Sequence, residues 1–444
     1  MKRVLVGIAM MTALVTGLWL FAEPSLLGSS LIFQWRSALI QYSGIVAIML
    51  MSLTMVLALR LDWVEQVTQG LDKSYRLHKW TGIAGGVLAI IHWLFYHLPI
   101  QLVSAGILTA PQRFSGRGPA HLGNDLLSSW ILELRSTGLA LGEWGFYLLI
   151  ALITLSLWTA LRYRPFRVSH KLMAVAYLMV AAHSALLLKH SYWGTPIYFL
   201  TMAFIVIGVL AALYSLLGLI GRYHQYDARI SRVQYHPLSR ILDLELHMPT
   251  SWPGHRCGQY AYLQFGHEDP HPFTLVSGCK GDKVRFLIKE LGDFTTGLNK
   301  RVNLGNSVRI EGPYGHFSLH QSSPQIWIAG GVGVAPFVAA LHSYAEQPPR
   351  YPVFFFFSCR GVDTAILQEL HQLATRSGVT LEIVDTRYQP RLTIEGLAQR
   401  FVHLDHYDVY FCGPESMSAQ LKNDLKRHRF DTAHHYHEEM YAMR

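Results

Sequence analysis

Charge is what this sequence has least of. Only 15% of its 444 residues are Asp, Glu, Lys or Arg, against 51% hydrophobic, and the shortage lies mostly in the first half. A chain that is soluble throughout is excluded, because the first half lacks the polar residues to cover a water-facing surface. Cysteine is nearly as scarce. Cys257, Cys279, Cys359 and Cys412 all lie in the second half, with no CxxC spacing. That excludes an iron–sulfur cluster and a structural zinc site, leaves no disulfide framework, and places that half in a reducing compartment. The net charge is +9, yet no basic run is interleaved with aromatics, so nucleic acid is excluded as a partner. There is no internal repeat and no low-complexity segment.

What is present is apolar length. Six segments suit membrane spans, near 4–22, 38–59, 80–98, 143–161, 170–188 and 197–220. The first follows Met1-Lys2-Arg3, as a signal peptide would. Its apolar stretch is long for one and no small-x-small cleavage site is obvious, so it is read as a span. Lys2, Arg3, Arg60, Lys73, Arg76, Lys79, Arg162, Arg164, Arg167 and Lys171 flank one side of the bilayer. Arg36, Arg113, Arg117, Arg135 and Lys189 flank the other. The richer side belongs inside, so the N-terminus is expected in the cytoplasm and the chain returns there at Arg222.

Four histidines lie within these segments as two long-spaced pairs, His78 with His92 and His170 with His183. A histidine inside a bilayer is costly and marks a functional position. At about 1.5 Å per residue the pairs span roughly 21 and 20 Å, within a hydrocarbon core of about 30 Å. The charge flanks, read independently, put His78 with His170 on the inner side and His92 with His183 on the outer side. Two stacked haems with paired imidazole ligands fit this pattern. Polar pairing between helices and a proton relay fit it too. The spacing has one difficulty. Fourteen residues return to within about 40° of one helix face, whereas thirteen leave it about 140° away. The second helix is therefore expected to kink or bulge, or to place His170 at a frayed start. Arg36, His97 and His190 lie at or beyond the outer level, suited to steering an anionic acceptor, to binding haem propionates or to interfacial anchoring.

From about residue 225 short alternating strands such as 260–265 and 284–288 predict an antiparallel barrel to about 320. After Pro324, apolar strands at 326–329, 353–357 and 409–411 alternate with helical stretches and predict an α/β sheet. The expected fold is a six-helix membrane domain over 1–221, a barrel over 222–322 and a nucleotide-binding α/β domain over 323–444. His271-Pro272-Phe273-Thr274 offers a ring, a rigid proline and a hydroxyl to a flat cofactor. In Lys289-Glu290-Leu291-Gly292-Asp293-Phe294-Thr295-Thr296 a glycine turn precedes hydroxyls and N–H groups suited to a pyrophosphate. Gly312-Pro313-Tyr314-Gly315 closes the barrel. The strand 326–329 then runs into Gly330-Gly331-Val332-Gly333-Val334-Ala335-Pro336, a glycine-rich entry to a helix that can face phosphates. Phe411-Cys412-Gly413-Pro414 ends another strand, with a glycine for close approach and a cysteine that could pack against a nicotinamide.

In this order, Leu71-Asp72-Lys73 through His78-Lys79, His92, Ser169-His170-Lys171, His183-Ser184, the His271–Thr274 stretch, Gly330–Pro336 and Phe411–Pro414 resemble the ferric reductase and NADPH oxidase superfamily. The likeness is greatest to bacterial ferric reductases with a fused ferredoxin–NADP-reductase-like half. It covers nearly the whole chain and includes the thirteen-residue histidine spacing. The resemblance implies two b-type haems, one held by His78 and His170 and the other by His92 and His183. It implies FAD on His271, Pro272, Phe273 and Thr274, with Lys289, Thr295 and Thr296 toward phosphates. It implies NADPH or NADH on Gly330, Gly331, Gly333, Pro336, Arg360, Cys412, Gly413 and Pro414. Arg360 suits a 2′-phosphate and equally a general phosphate or adenine contact. Tyr441 resembles the ring that covers the flavin in the bacterial group, and the ending Tyr441-Ala442-Met443-Arg444 departs from oxidases that finish on an aromatic, which weighs against superoxide as the product. The implied activity is electron transfer from cytoplasmic NAD(P)H to ferric chelate, dioxygen or quinone across a bacterial inner membrane. A membrane-tethered flavin reductase without haem and a non-catalytic scaffold are the competing readings.

Overall fold

The computed structural model describes residues 2–24, 26, 32–109, 134–158, 163–278, 281–401 and 403–439. Two compact units are present, one built from 1–68 and 73–220, the other from 69–72 and 221–444.

The first unit is helical: α1 (Lys2–Ala22), α2 (Ile32–Leu57), the short α3 (Asp62–Thr68), α4 (Leu71–Ser104), α5 (Arg135–Leu157), α6 (Tyr163–Leu187) and α7 (Pro196–Leu216). All but α3 are long and apolar enough to cross a membrane. Their side chains are apolar on both faces. Leu14 and Phe21 of α1 and Phe199 and Leu210 of α7 point outward, while Ile48, Leu149, Ala174 and Ala181 pack inside. A helix apolar all round has no water-facing side and belongs in lipid or a core.

The observed boundaries differ from the hydropathy reading in instructive ways. α4 starts at Leu71 rather than 80, because its first turns are good helix formers that are too polar to register as a span. It also continues through Pro99. That proline removes the N–H that Phe95 would bond, and Arg36 of α2 supplies the missing donors, Nε to Phe95 O at 3.1 Å and Nη2 to Tyr96 O at 2.8 Å. α6 starts at Tyr163, so His170 sits well inside it. The expected frayed start is wrong, and the helix runs from Tyr163 to Leu187 without a bulge.

The second unit holds two sheets. β1 (Gln225–His236), β2 (Ile241–His247), β3 (Tyr260–Phe265), β4 (His271–Thr274), β5 (Lys283–Lys289) and β6 (Ser307–Tyr314) form an antiparallel sheet in the order β4-β3-β6-β1-β2-β5. A bridge between Leu275 and Phe286 brings its two edges together into a barrel. The His271–Thr274 stretch is itself an edge strand paired to Tyr260–Leu263, not a turn. Proline is tolerated there because an edge strand need not donate on its open side.

The second sheet is parallel, in the order β11-β10-β7-β8-β9: β7 (Gln325–Gly330), β8 (Val353–Cys359), β9 (Thr380–Asp385), β10 (Asp408–Cys412) and β11 (Tyr436–Glu439). Helices α8 (Ala335–Glu346), α9 (Thr364–Ser377), α10 (Ile394–Arg400) and α11 (Glu415–Arg427) flank it. Buried Trp327, Phe337, Phe355 and Tyr410 fill one face, and Ile241, Val276 and Leu287 of the barrel join the same core. The strand order reverses between β7 and β10. Such a switch point opens a crevice at the strands' carboxyl ends, where ligands bind in sheets of this kind.

Candidate functional site

In the helical unit the four histidines converge as two pairs. The ring centroids of His78 and His170 are 5.8 Å apart, and those of His92 and His183 are 6.1 Å apart. Each Nδ1 is engaged by a neighbouring helix. His78 Nδ1 donates to Thr54 O at 2.8 Å, His92 Nδ1 to Ile40 O at 2.9 Å, and His183 Nδ1 to Gly138 O at 2.9 Å. A carbonyl can only accept, so these Nδ1 atoms carry the proton and each Nε2 keeps its lone pair. His170 Nδ1 lies 3.0 Å from Ser156 Oγ, whose own hydroxyl donates to Leu152 O, so the serine oxygen is again the acceptor. Every imidazole is thereby held in the tautomer a metal ligand needs.

This arrangement resolves the thirteen-residue spacing. Gly138 and Ser156 of α5 lie about five whole turns apart and so share one face. His170 and His183 reach that face from opposite flanks of α6, so the side chains take up the angular mismatch. Glycine makes the room. A Cβ on Gly142 would lie 2.0 Å from His183 Nδ1, and one on Gly44 would lie 3.2 Å from His92 Cε1. These small residues were missed from sequence. The signal was there in Gly138-x-x-x-Gly142, a spacing that lets membrane helices approach closely. Among the described residues no group of three or more His, Cys, Asp or Glu could hold a metal, and the bundle histidines meet as pairs.

His97 packs between Trp93 and Tyr96, with centroids at 4.5 and 4.9 Å, and His190 lies 4.3 Å from Trp193. Arg36 is committed to the α4 carbonyls described above.

In the barrel, His271 stacks on Phe294 at 3.6 Å and 9°, and its Nδ1 donates to Asp269 O at 2.7 Å. Phe273 lies 6.4 Å from the same ring, and Thr274 is buried. Thr295 turns inward on its own loop. Its hydroxyl accepts from Leu291 N at 2.9 Å and Gly292 N at 3.2 Å, so it shapes the turn instead of standing free for a phosphate. Thr296 N closes the same turn onto Gly292 O.

At the switch point the two glycine turns pack backbone to backbone. A Cβ on Gly333 would lie 2.2 Å from Cys412 O, and one on Gly330 would lie 2.8 Å from the ring of Pro414. The need for glycine at 330, 333 and 413 is thus set by the neighbouring turn. Gly331 is different: its φ is +58°, and its nearest neighbour is Lys289 Nζ from the barrel, 3.6 Å from the Cβ position. Pro336 starts α8 after the 3₁₀ turn Gly331–Val334. Cys412 is fully buried with the aromatic core and Gly413 follows it in the crevice.

Arg360 is exposed beyond β8. Asp385 and Arg387, beyond β9, were missed. Arg387 grips both carboxylate oxygens of Asp385 at 2.6 to 3.1 Å and lies over Gly361, holding the Asp385 pKa down at about 2. Their cue is an Asp-x-Arg triplet closing a parallel strand. Burial pushes the nearby Cys359 thiol up to about 11, which keeps it unreactive. Tyr441 and Cys279 lie outside the described residues.

Three families account for the chain in series. Residues 43–181 match the ferric reductase like transmembrane component, 225–330 an FAD-binding domain and 327–423 an oxidoreductase NAD-binding domain. That order of domains matches the ferric reductase and NADPH oxidase superfamily. Within it, similarity extends to dual oxidase 2 of Rattus norvegicus, 26% identical over 293 residues, covering 61% of this chain and 18% of that protein. The toluate 1,2-dioxygenase electron transfer component of Pseudomonas putida is 28% identical over 196 residues, covering 42% of this chain and 58% of its own. The flavohem-like FAD/NAD-binding domain of a nitric oxide dioxygenase from Vibrio cholerae O1 biovar El Tor aligns with a TM-score of 0.43 and 21% identity, over 49% of this chain and 98% of that one. The chain spans between 18% and 60% of the length of such curated relatives. Its matched regions are thus a ferric reductase like transmembrane component followed by an FAD-binding and an oxidoreductase NAD-binding domain.

Proposed function

We propose that this chain moves electrons from cytoplasmic NAD(P)H through FAD and two b-type haems to an acceptor at the outer face of a bacterial inner membrane. The observation that carries the reading is the pair of facing imidazole couples, each with Nδ1 tied to a neighbouring helix and Nε2 left with its lone pair. That donor set fits bis-histidine haem iron: His78 and His170 would hold an inner haem, His92 and His183 an outer one. When bound, FAD supplies hydride acceptance with single-electron release, and the haems supply one-electron carriers across the bilayer.

The protein's own part is orientation. His271, Pro272, Phe273 and Thr274 form the edge of the barrel that would receive the flavin, with the Leu291–Thr296 turn presenting backbone N–H groups to its phosphates. Thr295 contributes by holding that turn. Gly330, Gly331, Gly333 and Pro336 line the crevice for the nicotinamide nucleotide. Cys412, Gly413 and Pro414 close it from the facing turn. Lys289 and Arg360 supply positive charge for phosphates, and Tyr441 would cover the flavin ring until the nicotinamide displaces it. The acceptor is of the ferric chelate, dioxygen or quinone class. The test is the visible spectrum of the purified protein reduced by NADH or NADPH. Two b-type haem bands and a flavin band are expected. Flavin alone would leave a tethered flavin reductase, and no chromophore would leave a scaffold.

A further inference from the structure

The barrel and the parallel sheet fall in one compact unit, and two polar ties join them at one helix. Asp363 occupies the N-cap position of α9, but its side chain makes no bond to its own helix. Its carboxylate accepts instead from the β1–β2 turn of the barrel: Leu238 N at 3.2 Å, Ser239 N at 2.8 Å and Ser239 Oγ at 2.6 Å. A residue type favoured for capping has been turned outward to hold another domain. Further along α9, Glu369 meets Arg285 of β5 through both carboxylate oxygens, Arg285 Nη2 to Oε2 at 2.8 Å and Nη1 to Oε1. Arg285 is itself fixed from behind, Nε to Asp243 Oδ1 at 2.7 Å and Nη2 to Oδ2 at 2.9 Å, and Arg232 completes the set on Asp243. Asp243 is only 2% exposed and the Arg285 side chain 13%.

We propose that Asp363 with Ser239, and Glu369 with Arg285, form a clasp that sets the barrel and the nucleotide-binding sheet at the separation needed for hydride transfer. These are positioning residues, and the inference rests on the function proposed above. In that reaction a hydride leaves a nicotinamide, which is oxidised, and joins a flavin, which is reduced. Its rate depends on how closely one domain holds one ring against the other.

Three features favour positioning over mere adhesion. The shared apolar core already joins the domains through Ile241, Val276 and Leu287, and apolar contact is not directional. Two-pronged arginine–carboxylate pairing is directional, because the planar fork accepts one orientation. Both ties also act on α9, whose leading loop 360–363 adjoins the Asp385–Arg387 pair at the nucleotide crevice. On the barrel side, Arg285 and Lys289 lie four residues apart on β5 and so share a face. One grips α9, while the other reaches Gly331. The clasp therefore registers the same strand against both the helix and the glycine turn.

The test uses the full-length protein in detergent with Asp363→Ala, Glu369→Ala and the double variant, and with Glu369→Gln, which keeps an acceptor for Arg285. Amide hydrogen exchange of the β1–β2 turn and of α9 is measured on flavin-free protein, and is expected to rise about tenfold in the double variant. Flavin reduction at saturating NAD(P)H should fall about tenfold or more. FAD content and NADP⁺ or NAD⁺ affinity should stay within about twofold, since no clasp residue is assigned to either ligand. Glu369→Gln should recover most of the rate. If the double variant does not fold, the single variants carry the same comparison. Unchanged exchange and rate would overturn the clasp, as would a slower rate matched by lost FAD or nucleotide. Wild-type flavin that neither nucleotide reduces would overturn the function itself, a separate and recognisable outcome.

Discussion

The helical unit and the sheet-bearing unit build their candidate sites in opposite ways. In the bundle, functional side chains are fastened one at a time. Each imidazole has its own partner on the next helix, and glycine clears the space beside two of them. In the sheet-bearing unit the site is made of turns. Thr295, Gly330, Gly333 and Cys412 are all occupied with the chain itself, and what they shape is the backbone of the turns. The contrast follows from solvent. Inside lipid every polar atom needs a protein partner, so a ligand histidine must be tied by name. In water a turn can leave some of its N–H groups to solvent until a phosphate arrives.

The largest expected effect breaks the bundle side of that contrast. Gly142→Val would drive side-chain carbon into the His183 ring, whose Nδ1 lies 2.0 Å from the Cβ position. The ring cannot move without losing Gly138 O. One of the two haem signals should disappear from the spectrum, with flavin content intact. Retention of both haems would show that His183 is not a ligand.

Next in size is the same substitution class in the sheet-bearing unit. Gly333→Ala places its methyl against Cys412 O at 2.2 Å and should destabilise the α/β domain by about 1–3 kcal/mol, as overpacking does. Gly331→Ala meets only Lys289 Nζ at 3.6 Å and suffers mainly from its positive φ, about 1 kcal/mol. Thermal melting followed by flavin fluorescence, beside nucleotide KM, separates them. Gly333→Ala should lower the melting temperature more than it raises KM. A change confined to KM would put the phosphate, not the turn, beside Gly333.

How much of this was legible follows the same division. The histidine pairs could be read from spacing because a helix has a fixed rise, and flanking charge gave each pair an expected level. Their partners could not, since Thr54, Ile40 and Gly138 act through carbonyls that every residue possesses. The thirteen-residue spacing misled because it was converted to a helix face without allowing side chains to reach sideways. In the sheet-bearing unit the motif letters marked turns without showing what each side chain in them contacts. Thr295 and Gly333 were read as facing a ligand, whereas each faces its own chain. His271–Thr274 was singled out for its side chains alone, and its place on an edge strand had no cue because proline usually interrupts strands. The ties at Asp363 and Glu369 had no sequence cue, because ordinary acidic residues beside a helix look the same whether they bind water or another domain.

A smaller effect concerns acid. Burial alone would raise the Asp363 and Glu369 carboxyls, but Ser239 with its backbone N–H, and Arg285, outweigh it and hold both below the ordinary range. A depressed carboxylate stabilises the folded state above its unfolded pKa, near pH 4, and loses that contribution as pH falls through the folded value. The joint should therefore be insensitive between neutrality and about pH 5 and weaken below about pH 4. Melting of wild type against Asp363→Asn over that window checks the sign. The variant, having no proton to take up there, should show the shallower decline, and parallel curves would remove Asp363 from the acid response.

The smallest effect sharpens the comparison from within the bundle. His170 is tied through a side chain, Ser156, and not through a carbonyl, so its tie can be cut without disturbing the backbone. Ser156→Ala leaves the half-buried His170 beside Phe166, with ring centroids 5.2 Å apart, but removes the oxygen that accepts its Nδ1 proton. A hydrogen bond of this kind makes the imidazole a stronger donor and favours oxidised iron. Losing it should raise the potential of one haem and leave the other alone. At about 1 kcal/mol for a neutral hydrogen bond, the shift is roughly 40 mV for a one-electron couple. Haem content should not change. A redox titration of the two haem bands reads both quantities at once. No shift in either would mean that Ser156 only packs against the ring, and a shift in both would mean that it acts through the bundle and not through His170.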